Sequence, residues 1–531
     1  MKNPFHAGSR PFNSVALLLL IYAVQLLLHL PLLRLPYFWD EAGYYVPAAY
    51  DIYKDAALIP HSTTSNAHPP LLMAYLALAW KLFGFSPLVT RCAMLLVSAF
   101  GSLGVYRAAE EVSNKKIALA STICLALYPV WFAQSSLAQV DLAAAALCIW
   151  GLWAYLRKRP IATGVFFCLA ALAKETAIIV PVAILLWEVA ATLRNQGSSR
   201  ANPNQGEGAP RDLHFELLVP LLPLALWFLY HHHRTGYFFG NPEFFRYNVS
   251  ATLSPARIFF AALRRGWQLF GYMNLYALTV GMIAAMFLPA LRDQVDGKEI
   301  ERERIAIPTQ LLFLMIIVAH WIVFSFIGGA VLARYMLPAI PLVIIIAVST
   351  LHRRVRYWPV LVGLVCAMFT AALFVNPPYT FAPEDNLAYA DYVRLHQRAD
   401  SFVQAKYPHS RVLTAWTATD ELSKPFLGYV TKPVAITSIE DFSLPQIQRV
   451  QQEPETYDVG LVFNTKYAPK KQMWMPAFWR RAQEQYFGLH DDLPPEAVAQ
   501  MLGGTVVFKE ERGGQWAAVL VFERSRNARL R

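Results

Sequence analysis

The chain has 531 residues, of which 56% are hydrophobic and only 16% are charged, and its mean hydropathy of +0.33 is high for a soluble protein. This composition argues against a soluble globular protein and indicates a polytopic membrane protein, because several apolar runs approach or exceed the ~18 residues typical of a transmembrane helix. The net charge of +11 does not indicate nucleic-acid binding, since the basic residues cluster in short loops between apolar runs.

About eleven apolar segments are predicted to cross the membrane. They cover residues 12–33, 87–107, 116–134, 137–156, 161–173, 176–193, 213–230, 269–291, 307–328, 330–350 and 357–375. Lys2, Arg10 and the Lys/Arg clusters after the even-numbered segments all fall on one side, which the positive-inside rule makes the cytoplasm. We therefore predict a multi-pass protein of the inner or plasma membrane, with the N-terminus inside and the C-terminus outside. Residues 161–193 are too few for two full crossings, so we expect a short span or a re-entrant pair that bends at Lys174 and Glu175.

The character of the chain changes at about Asn376. The stretch "NPPYTFAPEDN" predicts a linker, and the polar remainder contains four strand-like runs, "SRVLTAW", "YDVGLVF", "GTVVFKE" and "AAVLVFE". We predict a transmembrane domain over residues 1–375 and a small soluble α/β domain outside the membrane over residues 376–531. The inner loop 194–212 has the Gly, Pro, Asn and Ser content of a linker.

Two adjacent acids, Asp40 and Glu41 in "YFWDEAGYY", follow the first apolar segment in a long outer loop, residues 34–86. The pair fits a helix start, because Asp caps helices and acids favour the positive end of the helix dipole. It also fits a general base at the membrane surface, because a partly desolvated Asp can take a proton from a hydroxyl. Asp141, in "SSLAQVDLAAAAL", lies on the same predicted side at the start of the fourth segment, where an acid marks either a helix start or a functional site.

Basic and aromatic residues accompany these acids on the outer side. Arg334 and Tyr335 begin the tenth segment in "ARYMLPAIP", and Lys174 and Glu175 lie in "LAKETAII". Arg with its planar fork and Lys as a point charge could bind a phosphate, or could simply snorkel to the interface. His68, before a Pro pair in "HPPLLMAYLALAWKLFG", is either a site residue or a solvated loop residue. The coincidence of acids and bases on one side favours a site.

The stretch "HHHR" at residues 231–234 opens the second long outer loop, residues 231–268. Consecutive helical side chains point about 100° apart and cannot easily share one ion, so we predict a helix end and no metal site. The sequence has no Walker motif, GxGxxG or GxSxG, so it does not support a soluble-nucleotide enzyme or a serine hydrolase.

The ordered motifs "WDEAGYY", "HPPLL", "FGFSPLVTR", "AQVD", "GVFFCLAALAKET" and "RYMLPAIP" resemble the GT-C glycosyltransferases of family 39, which include protein O-mannosyltransferases and bacterial aminoarabinose transferases of lipid A. The resemblance covers about residues 12–350. It implies an integral membrane glycosyltransferase that moves a sugar, with inversion, from a polyprenyl-phosphate carrier to an envelope lipid, glycan or protein at the outer face. It also implies that Asp40 is the base-side carboxylate with Glu41 beside it, and that Asp141 is a second acid in or near the acceptor site.

The resemblance further implies that Arg334 and Lys174 are candidates to hold the donor phosphate. His68 stands where the aminoarabinose transferases carry Lys before the Pro pair, and a neutral His would hold a phosphate less firmly. Because Arg and Lys can neutralise a monophosphate, no metal or other cofactor is predicted to be obligatory. One alternative is a glycan ligase or polymerase that uses a diphosphate carrier, which would need a second Arg cluster, such as Arg246, Arg257, Arg264 and Arg265. The other is a transporter or flippase, which the lack of an internal repeat disfavours.

Overall fold

The computed structural model describes residues 13–201, 214–295, 297–452, 457–467 and 476–522. Lys2, Arg10 and residues 202–212 of the predicted inner linker lie outside the described residues. The α-helices up to residue 375 are α1 (Ser14–His29), α2 (Val46–Asp55), α3 (Leu71–Phe83), α4 (Pro87–Val112), α5 (Lys115–Leu127), α6 (Pro129–Gln134), α7 (Val140–Leu156), α8 (Pro160–Ala173), α9 (Ile179–Ala201), α10 (Leu221–Thr235), α11 (Pro242–Asn248), α12 (Pro255–Phe270), α13 (Leu275–Met286), α14 (Ile307–Phe326), α15 (Ile340–Arg354) and α16 (Trp358–Phe374).

Every predicted membrane segment contains a helix. In the described part of the chain, six helical segments are long and apolar enough to cross a membrane by length and composition. They are Ser14–Leu32, Pro87–Val112, Glu175–Leu193, Phe215–Thr235, Pro255–Met286 and Ile307–Phe326, and the shorter apolar helices include α7, α8 and α16. The predicted class, an α-helical membrane protein with a small C-terminal α/β domain, is confirmed, while the count of eleven crossings stays a prediction.

Non-helical backbone conformations interrupt two of the predicted membrane spans, the third and the eighth. The third is interrupted at Tyr128, which is extended (φ −61°, ψ 123°) because Pro129 disfavours the helical conformation of the residue before it. The eighth is preceded by α12, a strongly amphipathic helix where the sequence predicted a loop. Met273 and Asn274, with φ of +49° and +68°, turn the chain between α12 and α13.

A small hairpin and a mixed sheet complete the structure. The hairpin pairs β1 (Arg292–Val295) with β2 (Lys298–Glu301). The sheet has the order β4-β3-β5-β7-β6 and contains β3 (Val412–Ala415), β4 (Ile436–Ile439), β5 (Val459–Phe463), β6 (Gly504–Arg512) and β7 (Gln515–Phe522). Its first three strands are parallel, and β6 and β7 form an antiparallel hairpin beside β5. The four predicted strands are present, and β4 is an additional short strand at the edge of the sheet.

The C-terminal helices surround this sheet. They are α17 (Ala388–Lys406), α18 (Ala418–Ser423), α19 (Leu444–Gln452), α20 (Ala477–Phe487) and α21 (Pro495–Leu502). In α17 the buried residues Tyr392, Leu395 and Ala399 follow the helical stripe that the sequence shows.

The C-terminal domain packs directly on the "YFWDEAGYY" motif. The rings of Trp39 and Trp416 lie 5.0 Å apart, and the Tyr429 hydroxyl donates to the Tyr37 carbonyl at 2.9 Å. A Cβ on Gly43 would lie 2.6 Å from the ring of Trp416, so a side chain at this position would require the indole to move. This close packing fixes the position of the domain over the loop that contains residues 34–86.

Candidate active site

The turn that follows α1 points the side chains of Asp40 and Glu41 in different directions. Trp39 has a φ of +47°, and residues Glu41–Tyr45 form a single wide helical turn that precedes α2. Asp40 keeps 19% of its side chain exposed, whereas Glu41 is fully buried. The pair therefore divides into one accessible carboxylate and one buried carboxylate.

Glu41 is held from several sides by the protein. It forms an ion pair with the guanidinium of Arg91, which is also buried. The backbone N–H groups of Phe38 and Ala138 donate to its two oxygens at 2.8 Å and 2.5 Å. Arg91 also donates to the carbonyl oxygens of Ser136 and Pro36, both at 2.7 Å. This geometry favours an anchoring role for Glu41, which fastens the turn that carries Asp40, over a direct catalytic one.

Arg334 is the centre of the acidic cluster. It lies in the short helical turn Ala333–Met336 before α15 and is 2% exposed. Its guanidinium forms ion pairs with three carboxylates: Asp40, Asp141 with Nε and Oδ2 3.1 Å apart, and Glu384 with Nη1 and Oε2 2.5 Å apart. Residues far apart in the sequence thus meet at one cation.

Lys174 supplies a second cation to the same cluster. The peptide chain is extended at Lys174, between α8 and the helical turn Glu175–Ile178, which is where the sequence predicts the bend. Its Nζ lies 2.5 Å from Oδ1 of Asp141 and 4.1 Å from the centre of the Tyr335 ring. Because Asp141 is held by Lys174 on one oxygen and approached by Arg334 on the other, it is suited to orient these cations.

His68 and Glu175 form a separate pair on the wall of the site. Nδ1 of His68 lies 2.8 Å from Oε2 of Glu175. The His68 ring contacts Tyr45 and Phe244, with ring centres 5.9 Å away in both cases. An imidazole placed in this way can donate a hydrogen bond to, or accept one from, a ligand in the adjacent cavity.

These residues surround a cavity of about 690 Å³, within the usual size of small-molecule sites. The predicted site residues that line it are Asp40, His68, Lys174, Glu175, Arg334 and Tyr335. Asp141 touches the cluster from behind Lys174 and Arg334, and Glu41 does not reach the cavity wall. The C-terminal domain contributes the opposite part of the wall, with residues that include Trp416, Lys466 and His490. The cavity is therefore built jointly by the loops 34–86 and 231–268 and by the C-terminal domain.

Sequence reasoning missed Glu384, which lies in the stretch interpreted as a linker. Glu384 is buried, pairs with Arg334, and accepts a hydrogen bond from Nε2 of Gln139 at 2.8 Å. The next residue, Asp385, accepts from the Tyr272 hydroxyl at 2.6 Å. The local signal was an acidic pair after a proline, which is common at exposed helix starts and does not distinguish a buried site residue.

Arg265 is a second residue whose position the main prediction did not use. It is fully buried on α12 and donates to the carbonyl oxygens of Leu332 at 2.6 Å and Phe324 at 3.2 Å. Its Nη2 is buried and finds no hydrogen-bond partner within the described part of the chain. The guanidinium lies 5.2 Å from the centre of the Tyr335 ring, beside the cavity wall. The buried positions Arg257, Ala261 and Arg265 repeat at helical spacing, which is the sequence signal for this face.

Buried Glu384 is expected to make the stability of the protein depend on pH. Burial raises the pKa of Glu384 to about 7, although the Arg334 charge opposes this effect. The folded chain then holds a proton that the unfolded chain releases near pH 4.5, so the free energy of unfolding falls as the pH rises from about 4.5 to about 7. The slope is at most about 1.4 kcal/mol per pH unit. Glu384→Gln is expected to remove this part of the slope, which thermal unfolding of wild type and variant across that pH range measures.

The matched control for this measurement is Glu303→Gln, because Glu303 is exposed and its substitution should leave the slope unchanged. Equal slopes for wild type and Glu384→Gln would contradict the assignment of a proton to buried Glu384.

Comparison with known proteins identifies what this architecture is similar to. The sequence profile of the dolichyl-phosphate-mannose-protein mannosyltransferase family matches residues 67–200, a stretch that includes His68, Asp141 and Lys174. No protein of curated function matches the chain significantly in sequence.

Among solved structures, ArnT from Cupriavidus metallidurans bound to undecaprenyl phosphate has a TM-score of 0.55 and 15% identity, over 95% of this chain and 97% of that chain. ArnT from the same organism in the apo state has a TM-score of 0.53, also with 15% identity and the same coverage of both chains. The likeness confirms the GT-C fold that the ordered motifs predicted, and the matched family consists of glycosyltransferases.

Proposed function

We propose that this protein is an integral membrane glycosyltransferase that moves a sugar, with inversion, from a polyprenyl-phosphate carrier to an acceptor on the outer face of the membrane. The observation that carries the proposal is the placement of Asp40. Its carboxylate faces the 690 Å³ cavity while its ion-pair partner, Arg334, is buried behind it. The fold shared with a protein bound to undecaprenyl phosphate supports this class of donor.

Asp40 acts as the base in the proposed reaction. The acceptor oxygen forms a bond to the anomeric carbon of the sugar while the bond from that carbon to the phosphate oxygen breaks. The acceptor proton passes to Asp40, and the electron pair leaves with the phosphate. Attack from the face opposite the leaving group inverts the anomeric carbon. The ion pair with Arg334 holds the carboxylate in one position, which favours proton transfer in the transition state.

Positive charge beside the cavity stabilises the departing phosphate. Lys174 and Arg334 were predicted for this role, and both are already paired with carboxylates. Arg265 offers what they lack, a buried guanidinium nitrogen without a partner among the described residues. We propose that Tyr335, which lines the cavity, binds the donor phosphate first, and that Arg265, buried 5.2 Å behind this ring, contributes its positive charge through the cavity wall. Arg334 and Lys174 respond to the charge that develops as the phosphate leaves.

The glycan ligase alternative receives less support from the arginines it requires. Arg246 is exposed and does not line the cavity. Arg257 directs its Nη2 to the carbonyl oxygens of Gly328 and Gly329, at 2.6 Å and 3.1 Å. Two of the four arginines expected to hold a diphosphate are thus directed elsewhere.

The proposal also includes the orientation of the protein in the membrane and the class of acceptor. On the basis of the basic loops, we propose that the N-terminus lies in the cytoplasm and the cavity lies at the outer face of the inner or plasma membrane. The acceptor is then an envelope lipid, glycan or protein that reaches the cavity from outside.

A transfer assay with purified full-length protein tests the function. The donors are synthetic polyprenyl phosphates that carry labelled sugars, with a polyprenyl diphosphate sugar and a nucleotide sugar for comparison, and the acceptor is an envelope extract. We expect transfer from the polyprenyl monophosphate alone. Transfer from the nucleotide sugar, or from none of the monophosphate donors, would contradict the proposal.

Removal of divalent metal is expected to leave this activity unchanged. A monophosphate carries less charge than a diphosphate, and Arg and Lys side chains can neutralise it. Transfer rates measured with excess EDTA and after readdition of Mg²⁺ or Mn²⁺ should agree within error. A rate that falls with EDTA and returns with the metal would show that a metal ion is required.

A further inference from the structure

Two cations at the end of the cavity formed by the C-terminal domain have no ion-pair partner within the described part of the chain. Arg264 lies on α12, Lys466 follows β5, and both line the cavity. Among the described residues neither side chain takes part in a hydrogen bond or ion pair within 4 Å. The guanidinium of Arg264 lies 5.9 Å from the centre of the Phe487 ring. The acid whose charge acts on it, Asp385, accepts a hydrogen bond from the Tyr272 hydroxyl and forms no ion pair with Arg264 among the described residues.

The acids closest to Lys466 are occupied by other donors. Asp492 accepts from the backbone N–H groups of Thr465 at 2.6 Å and Phe442 at 3.3 Å. Asp441 accepts from the backbone of Ser443 at 2.9 Å, and both acids lie near His490. These carboxylates therefore stabilise the loops around Lys466 and leave its ammonium group available.

Burial lowers the pKa of Lys466, and the charge of nearby Arg264 acts in the same direction, against the opposite effect of Asp492. Two cations that influence one another in a partly desolvated space are costly unless an anion joins them. Glu440 and Asp441 also line the cavity, but among the described residues neither forms an ion pair with Arg264 or Lys466. An oxyanion between the two cations would therefore offset their mutual repulsion.

The neighbouring arginines of α12 serve different parts of the cavity. Successive helical residues point about 100° apart, so Arg265 contacts the Phe324 and Leu332 carbonyls beside Tyr335, while Arg264 meets the C-terminal domain at Phe487. The donor phosphate proposed above belongs to the first of these positions. The second position is open to a different charged group.

We propose that Arg264 and Lys466 form an anion-binding subsite that holds a phosphate or carboxylate group of the acceptor. This inference rests on the proposed function for its identification of the ligand as the acceptor. Asn464, Thr465 and His490 also line the cavity, but their side chains already form hydrogen bonds to the Lys466 carbonyl oxygen, the Asp492 carboxylate and the Gly488 carbonyl oxygen. The two cations therefore carry the proposed subsite. The subsite would select acceptors that carry a negative charge beyond the attacked hydroxyl.

Direct binding tests this subsite without any need for transferase activity. The probes are inorganic phosphate, glucose 1-phosphate and glucuronate, titrated into detergent-solubilised full-length protein. Arg264→Gln and Lys466→Gln are each expected to weaken binding of at least one probe about tenfold, the scale of one charge-assisted hydrogen bond. Arg264→Lys should recover part of the loss, since it restores the charge. Lys432→Gln, at an exposed lysine away from the cavity, is the control and should bind as wild type does.

A competition arm separates the two possible positions of the anion. Polyprenyl phosphate should bind wild type and Arg264→Gln with similar affinity, and Arg265→Gln should weaken it. Probe binding that survives Arg264→Gln and Lys466→Gln but is lost in Arg265→Gln would place the anion at the donor position and overturn the inference. Lack of probe binding by wild type would overturn it too. Failure of the donor assay with intact probe binding would instead contradict the proposed function and leave an anion site of other purpose.

Discussion

Asp40→Asn is expected to lose transfer activity by roughly 10²–10⁴-fold, the usual contribution of a positioned general base. Asn has nearly the same size as Asp and can still meet the buried guanidinium of Arg334, but it cannot accept the acceptor proton. The loss should appear in kcat, because the variant removes an interaction of the transition state and leaves the cavity wall in place. The measurement is the initial rate of sugar transfer from the polyprenyl-phosphate donor at saturating substrate.

Asp55→Asn is the matched control, since Asp55 lies in the same outer loop with 59% of its side chain exposed. It should retain full activity. Thermal unfolding of Asp40→Asn should show a folded protein that still binds polyprenyl phosphate. Full activity in this variant would contradict the assignment of Asp40 as the base and would direct attention to Glu384 or to the His68–Glu175 pair.

Arg91→Met is expected to destabilise the protein by about 3–5 kcal/mol, because it leaves the Glu41 carboxylate buried without its cation. Arg91 and Glu41 have side-chain exposures of only 1% and 0%. The loss should be visible as a lower unfolding temperature and as faster proteolysis of the first outer loop. Since that loop carries Asp40, transfer activity should fall together with the folded fraction.

An exposed ion pair supplies the comparison for this prediction. Arg157 lies 2.8 Å from Glu111, with 42% of its side chain exposed, and Arg157→Met should change the free energy of unfolding by at most about 1 kcal/mol. Replacing both Arg91 and Glu41 by apolar residues should recover part of the stability lost in Arg91→Met, since no uncompensated charge remains. Similar effects of Arg91→Met and Arg157→Met would show that the buried pair does not anchor the turn.

Much of the site follows from the sequence because topology alone brings its parts to one side. Asp40, Asp141, Lys174 and Arg334 occur where apolar segments begin or end, and alternation of the basic loops assigns them to the same predicted face. The structure places all four in one ion-pair cluster.

The remaining features depend on tertiary contacts that local patterns do not contain. Nothing in "WDEAGYY" shows that Glu41 turns away from the cavity towards Arg91, because two adjacent acids look alike until a backbone turn separates them. Glu384 has the surroundings of a linker in sequence and becomes a site residue through its contacts with Arg334 and Gln139, which are far from it in the chain. Asp141 lies in the first turn of a helix, as one of its two interpretations predicted, and it is also part of the ion-pair cluster.

Local sequence patterns also predicted most of the helices and strands, but not all of them. Apolar runs predicted a helix in every membrane segment, and strand-like runs predicted four of the five strands of the sheet. Helix α12 was not predicted, because its polar face lowers the mean hydropathy of the segment. The residues on either side of it also have the composition of a loop. It nevertheless supplies Arg264 and Arg265.

The shared wall of the cavity has a consequence for the way the protein is made. Asp40, Asp141 and Lys174 leave the ribosome early, while Glu384, Trp416 and Lys466 are translated only after the last apolar helix. A nascent chain thus carries the proposed base and its companion acids without the residues that enclose them. Arg334 at that stage lacks one of its three carboxylates, and Gly43 lacks the indole that covers it. The enclosed site comes into existence as a late event of biogenesis, so a prematurely terminated chain would insert its helices in the membrane yet lack an enclosed space in which to hold both substrates.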